Sequence, residues 1–138
     1  MKIAVLETLR SRRFPNLLWV RVHTDAGVTG TGEAYKGVRA VESYLHETVF
    51  PEIIGADPLE IEGIDRKLQR FQFSVAGIGA EVRGNAAVNL ALWDLWGRAT
   101  GQPLYQLLGG RCRERIRIYN TCAGPQYQRS QPRQSVAN

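Results

Sequence analysis

Three apolar-rich runs open the chain, and each has the texture of a strand. Ile3 to Leu9 is apolar and suited to extended backbone, and Leu17–Thr24 ("LLWVRVHT") is rich in β-branched and aromatic residues that partly alternate with polar ones. Val28–Tyr35 ("VTGTGEAY") reads as the returning strand. The polar stretch "RSRRFPN", broken by Pro15, marks a loop between the first two runs. "DAG", Asp25 to Gly27, marks a tight connection between the next two, with Gly27 suited to positive φ. Gly30 and Gly32 within the third run predict a bulge or a close approach of another backbone. The first 35 residues thus predict a three-stranded antiparallel meander.

The period then changes. Val41, Leu45, Val49 and Ile53 recur every four positions and predict a helix from about Val38 to Ile54, which Pro51 should kink or end. "GADPLE" reads as a stop and restart, with Gly55 as a C-cap, Asp57 as an N-cap and Pro58 at the first helical position. Ile61, Ile64, Leu68 and Phe71 form a second stripe, with Glu62 and Arg66 spaced for an ion pair on its solvent side. "SVAGIGAEVRGN" predicts a Gly-rich loop. A third helix is expected from about Asn85 to Thr100, with Val88, Leu92, Leu95, Trp96 and Ala99 facing one way and Trp93 off that stripe. Gly101 stops it, and Pro103 opens a short helix ending at Gly109-Gly110. The order, strands first and helices after, predicts an α+β fold in which a helical bundle packs on one face of the meander. The run "RIRIYNTC" that follows looks extended, and the remainder is polar.

Size and composition narrow the class without naming a function. The chain has 138 residues, 43% of them hydrophobic and 22% charged, which suits one soluble domain with a real core. No apolar run approaches the ~20 residues of a membrane span, and the N-terminus is too interrupted by Glu7 for a signal peptide, so a cytoplasmic location is the expectation. Cys112 and Cys122 flank an extended-looking run and should lie roughly 30 Å apart, too far for a bridge. The formal net charge of +5 sits wholly after residue 110, where six arginines meet the single acid Glu114. Arg115 and Arg117 alternate with Ile116 and Ile118, which favours an end that meets more protein over one that meets nucleic acid.

No residue set completes an active site. "GTGEAY" and "GIGAEVRG" both place a non-glycine, Tyr35 and Val82, where a dinucleotide loop needs its third glycine. Neither His23 nor His46 lies near the cysteines with zinc-ligand spacing, so no metal site is expected. Asp94, mid-helix between two tryptophans, is expected to anchor its helix to a backbone amide or an arginine rather than to react. The loop Ser11–Asn16 carries Arg12, Arg13 and Phe14, which as a binding flap would offer guanidiniums to an acidic ligand.

Taken in order, the motifs resemble the N-terminal capping domain of the mandelate racemase/muconate lactonizing enzyme group of the enolase superfamily. "VTGTGEAY" resembles its G-x-G-E strand, "IIGADPLEIE" its G-x-D-P helix start, and "NAAVNLALWDLWGRATGQPLYQLLGG" its distinctive capping-domain signature. "RIRIYNT" resembles the strand that opens the catalytic barrel. Asn89 and Thr31 depart from the aspartate and tryptophan common there, at positions without a catalytic role in the group. The resemblance divides the chain into a capping domain, 1–110, and a first barrel strand with a polar tail, 111–138.

What the resemblance implies is a magnesium-dependent lyase or isomerase, an acid-sugar dehydratase or racemase, that removes a proton beside a carboxylate while the metal stabilises the enolate. Its acid–base lysine and histidine residues and its metal-binding carboxylates lie in a barrel of roughly 200–250 residues. Only 28 residues follow Gly110. The expectation is therefore a truncated chain, inactive alone, with no catalytic or metal residue and no cofactor of its own. Its partners would be the barrel, an acid-sugar or other carboxylate substrate, and further copies in a homo-oligomer. Arg12, Arg13 and Phe14 would touch substrate through a mobile specificity loop, and Asn120 and Thr121 would stand at the barrel mouth. A different class stays open: a stand-alone binding or interaction module that uses the sheet or the basic C-terminal tail.

Overall fold

The computed structural model describes residues 1–73 and 79–119. Strands β1 (Ile3–Arg10), β2 (Leu17–Thr24) and β3 (Thr29–Tyr35) form the expected antiparallel meander in the order β1-β2-β3. Gly27 takes a φ of 77° in the β2–β3 turn. Thr24, buried, closes that turn by donating its hydroxyl to the Val28 carbonyl (2.9 Å) while its N–H donates there too (3.0 Å). A register shift between Ile3 and Val5 lets Ile3 and Leu6, three residues apart, both face the core. That bulge leaves no trace in the alternation of the sequence.

The helical part follows as α1 (Val38–Tyr44), a π-helical turn (Leu45–Val49), α2 (Phe50–Ile53), α3 (Ile61–Phe73), α4 (Ala80–Thr100) and α5 (Leu104–Leu107). A strict four-residue spacing overshoots a 3.6-residue turn by about 40° per step. The wider π turn takes up that drift, and Val41, Leu45, Val49 and Ile53 all reach the core fully buried. The same turn accommodates Pro51. Phe50 N–H donates to Leu45 five residues back, and the helix continues through the proline to Ile53 before Gly55 (φ 77°) ends it.

Two further boundaries differ from expectation. Asp57 caps a turn, accepting from Leu59 N–H (3.0 Å), while α3 begins at Ile61. Helix α4 begins at Ala80 rather than Asn85, so "AEVRGN" is helical; the rest of the expected Gly-rich loop, 74–78, lies outside the described residues. Gly84 sits in the helix because a Cβ there would come within 2.8 Å of the Tyr44 ring. Ala99 is exposed, beyond the buried stripe of Ala87, Val88, Ala91, Leu92 and Leu95. Glu62 and Arg66 do not pair; Lys67 instead reaches back to the Glu52 carboxylate (3.0 Å).

Helix α4 lies chiefly against β3, with β2 beneath it and α1 and α3 beside it. The close backbone approach foreseen at Gly30 and Gly32 is this contact. A Cβ on Gly30 would stand 2.6 Å from the Leu95 N and Cβ, and one on Gly32 would strike the Ala87 carbonyl. In register, Val22 and Val20 of β2 stand opposite these glycines. The sheet therefore presents a trough with branched walls, into which the small residues Ala87 and Ala91 settle.

Candidate functional site

Helices cover one face of the sheet, so the exposed chemistry gathers at the loop end of the β1–β2 hairpin. There the loop Ser11–Asn16 folds on itself: Arg13 N–H donates to Ser11 Oγ (3.2 Å), and Phe14 N–H to the Ser11 carbonyl (3.3 Å). Arg12, Arg13 and Phe14 are all exposed. Phe14 meets the Trp19 ring edge to face at 6.3 Å, and the Arg13 guanidinium lies 5.5 Å over the Phe14 ring. The loop is thus a stacked platform carrying a guanidinium, suited to a polar anionic ligand rather than an apolar one.

A second connection joins it. Lys36 N–H donates to the Asn16 carbonyl (2.9 Å), which fastens the β3–α1 corner to the loop. Lys36 and Gly37 both have φ near 64°, and Arg83, in the first turns of α4, brings its Nη1 to 3.5 Å from where a Gly37 Cβ would stand. Sequence reasoning passed over Lys36 and Arg83. The only local sign was a lysine before a glycine at a strand-to-helix corner, and nothing local links position 83 to position 37. Asn120 and Thr121 lie outside the described residues.

The remaining carboxylates have structural work. Asp94 accepts from Thr31 N–H (2.8 Å) on the outer edge of β3 and from Arg98 Nε (2.9 Å), both the partners foreseen for it. Glu7 lies 3.0 Å from His23 Nε2 and 3.6 Å from Arg21, and Glu42 accepts from Thr8 and pairs with Arg10. Tyr44 donates to Asn85 Oδ1 (2.9 Å), whose Nδ2 donates to the Leu68 carbonyl (3.2 Å), a buried bridge across α1, α4 and α3. Burial pushes the Tyr44 hydroxyl above its ordinary range; the bond to Asn85 opposes this, and the charge of Glu81 adds to it. Among the described residues no three His, Cys, Asp or Glu side chains converge as metal ligands, so this region does not fit a magnesium site. No helix among them is long and apolar enough to cross a membrane.

The run expected to open a barrel forms no ladder within the described residues. Residues 111–119 pair with no strand, and Ile116, Ile118 and Tyr119 are all at least 75% exposed. Cys112 is a free, exposed thiol; Cys122 lies outside the described residues.

Comparison with known proteins adds what this geometry leaves open. Residues 4–109 match the family model described as the N-terminal domain of mandelate racemase / muconate lactonizing enzyme. A D-galactonate dehydratase family member of Marinomonas sp. (strain MWYL1) is 39% identical over 127 residues, 90% of this chain and 31% of its own length. A D-mannonate dehydratase of Novosphingobium aromaticivorans is 39% identical over 126 residues, again 90% and 31%. Among solved structures, an enolase of the mandelate racemase subgroup from Agrobacterium tumefaciens superposes with a TM-score of 0.80 at 51% identity, covering 87% of this chain and 33% of that one. The chain spans about a third of the length of the curated relatives it matches.

Proposed function

Because this chain belongs to the mandelate racemase/muconate lactonizing enzyme family, as an N-terminal domain, we propose that it is the capping domain of an acid-sugar dehydratase. The observation that carries this reading is its similarity, over nine-tenths of its length, to a D-galactonate dehydratase family member and a D-mannonate dehydratase. In this reading the cap closes over a carboxylate substrate held by a barrel domain, excluding water and setting specificity. Arg12, Arg13 and Phe14 touch the substrate, the residues from Arg111 onward lead into the barrel, and Asn120 and Thr121 stand at its mouth. Magnesium and the proton-transfer groups belong to the barrel in this reading; the described residues of the cap contribute no ligand set. The cap's own chemistry is charge and shape: it orients an anion by guanidinium pairing and closes the site.

A cap exchange tests this. Residues 1–110 replace the corresponding segment of the Novosphingobium D-mannonate dehydratase, and the chimera is assayed with magnesium against D-mannonate, D-galactonate and D-galactarate. Dehydration of any of the three is the expected result, while the 138-residue chain alone leaves all three unchanged. A chimera that unfolds cooperatively in calorimetry yet converts none of them overturns the reading.

A further inference from the structure

The sheet face that the helices leave uncovered carries a polar relay across all three strands. Glu7 lies on β1, His23 on β2 and Thr29 on β3. His23 stands opposite Thr29 in register, and Glu7 lies on the diagonal, opposite Arg21. Thr24 N–H donates to the Val28 carbonyl (3.0 Å), so the next pair, His23 and Thr29, is a non-hydrogen-bonded one. In such a pair the Cα atoms are about 4.5 Å apart and the side chains meet. The register shift between Ile3 and Val5 aims the third member. Strict alternation from the buried Ile3 would turn Glu7 into the core, and the bulge turns it outward beside His23.

The contacts run in one direction. His23 Nε2 is 3.0 Å from Glu7 Oε2, and His23 Nδ1 is 2.9 Å from Thr29 Oγ1. The carboxylate calls for the imidazole proton at Nε2, which leaves Nδ1 a lone pair, so the Thr29 hydroxyl donates to it. Arg21 Nη1 lies 3.6 Å from the same Glu7 oxygen. A hydroxyl bonded to a base whose far nitrogen is held by a carboxylate is the arrangement of an activated nucleophile. Because His23 and Thr29 share no ladder bond, the Thr29 N–H points out of the sheet edge, as the Thr31 N–H does toward Asp94 two residues on. There it can donate to an oxyanion formed on its own hydroxyl.

From this geometry we infer that the open sheet face is an acyl-transfer site, with Thr29 as nucleophile, His23 as general base and Glu7 as a positioning residue. Its substrates are small activated carboxylic esters. Thr29 Oγ1 bonds to the acyl carbon as the bond to the leaving oxygen breaks, and the hydroxyl proton passes to His23 Nδ1 and on to that oxygen. A water then gives its proton to His23 Nδ1 and bonds to the acyl carbon. The acid leaves, and Thr29 takes the proton back. The restriction to activated esters follows from exposure. The His23 and Glu7 side chains are 33% and 39% exposed, so the site excludes little water and offers mainly base catalysis, worth about 10²- to 10⁴-fold. The inference does not depend on the cap reading.

The test is incubation of the 138-residue chain with p-nitrophenyl acetate, following nitrophenolate release and locating the acetyl group by peptide mass spectrometry of quenched samples. Acetylation of Thr29 is expected, about a hundredfold faster than that of Thr100, whose hydroxyl donates to the Trp96 carbonyl instead. Thr29→Val should remove this acetyl group and the fast release. His23→Gln should slow acetylation of Thr29 about a hundredfold without lowering the unfolding temperature. Glu7→Gln keeps a hydrogen-bond acceptor and loses the charge that stabilises the imidazolium, so it should slow the reaction by at least about tenfold. A carboxylate that served the fold alone would leave the rate where it was. Acetyl groups confined to lysines and the N-terminus, or release that persists in full in Thr29→Val, would overturn the inference. So would acetylation of Thr29 at an unchanged rate in either His23→Gln or Glu7→Gln.

Discussion

Tyr44 shows what one polar atom does in this core. Its hydroxyl satisfies Asn85 Oδ1, and Asn85 is 3% exposed, so removing the donor strands a buried acceptor. Tyr44→Phe should therefore cost about 1 kcal/mol or more in urea unfolding at neutral pH. The alkaline limb gives an independent check. The folded hydroxyl holds its proton to higher pH than the unfolded one, which ionises near 10. Above that value the unfolded chain binds fewer protons, so stability falls as pH rises through this window, and the fall should be shallower in Tyr44→Phe. The glycines make the opposite case, in which the lack of an atom matters. Gly32→Ala drives a methyl into the Ala87 carbonyl and should lower stability by about 3 kcal/mol or prevent folding. Gly27→Ala meets open space and loses only the ease of its positive φ, about 1 kcal/mol. Thermal unfolding of the two variants would separate them. The sequence flagged Gly30 and Gly32 because glycine weakens a strand without a compensating reason. It could not say which backbone came close, since that partner lies more than fifty residues away.

At the level of elements, Asp94 ties α4 to the outer edge of β3, and both of its partners follow from simple rules. Arg98 lies four residues on along the helix, and Thr31 has an edge N–H that lacks a ladder partner. The two bonds are unequal. Arg98 is largely exposed, so Arg98→Ala should cost less than about 0.5 kcal/mol. Asp94→Ala leaves the Thr31 amide bare and should cost about 1–3 kcal/mol. Amide hydrogen exchange would show faster exchange at Thr31 in the second variant only; equal effects would mean that the ion pair is the anchor. At the other sheet edge main chain covers the start of β1, with Ile3 N–H donating to the Ala56 carbonyl and Gly55 N–H to the Ile3 carbonyl. The strands and the three main helical stripes were legible because periodicity is a local property. The helix details were not. The π turn, the start of α4 at Ala80 and the role of Asp57 depend on which packing contacts outweigh the local preferences of proline, glycine and aspartate. Gly84 reads as loop until the Tyr44 ring is placed over it.

At the scale of the molecule, the described apolar residues divide between a closed core and an exposed run after Gly101. Among the described residues, eighteen apolar side chains from strands and helices close into one buried core between Ile3 and Leu95, which agrees with a family match ending at residue 109. Among the described residues beyond Gly101, Leu107 is half-buried where α5 meets α4, but most of the apolar side chains are exposed, Leu108 at 66% and Ile118 at 86%. Leu104 and Tyr105 on α5 are also exposed, with Arg111 laid over the Tyr105 ring. Charge changes along the chain as well: positive and negative side chains balance up to Gly110 and diverge after it. The β3–α1 corner was harder to read, since only the folded chain brings Lys36 to Asn16 and Arg83 to Gly37. If the exposed apolar segment is a surface meant to meet a barrel, it should behave as sticky in isolation and quiet in context. The 138-residue chain should enhance the fluorescence of an apolar dye such as ANS and show concentration-dependent mass in light scattering. Leu108→Lys with Ile118→Lys should reduce both without lowering the unfolding temperature, because neither side chain contributes to the core. In the cap-exchange chimera the corresponding surface faces a barrel, and dye binding per molecule should fall below that of the isolated chain. Dye binding that persists unchanged in a folded chimera would mean that this face meets some other partner.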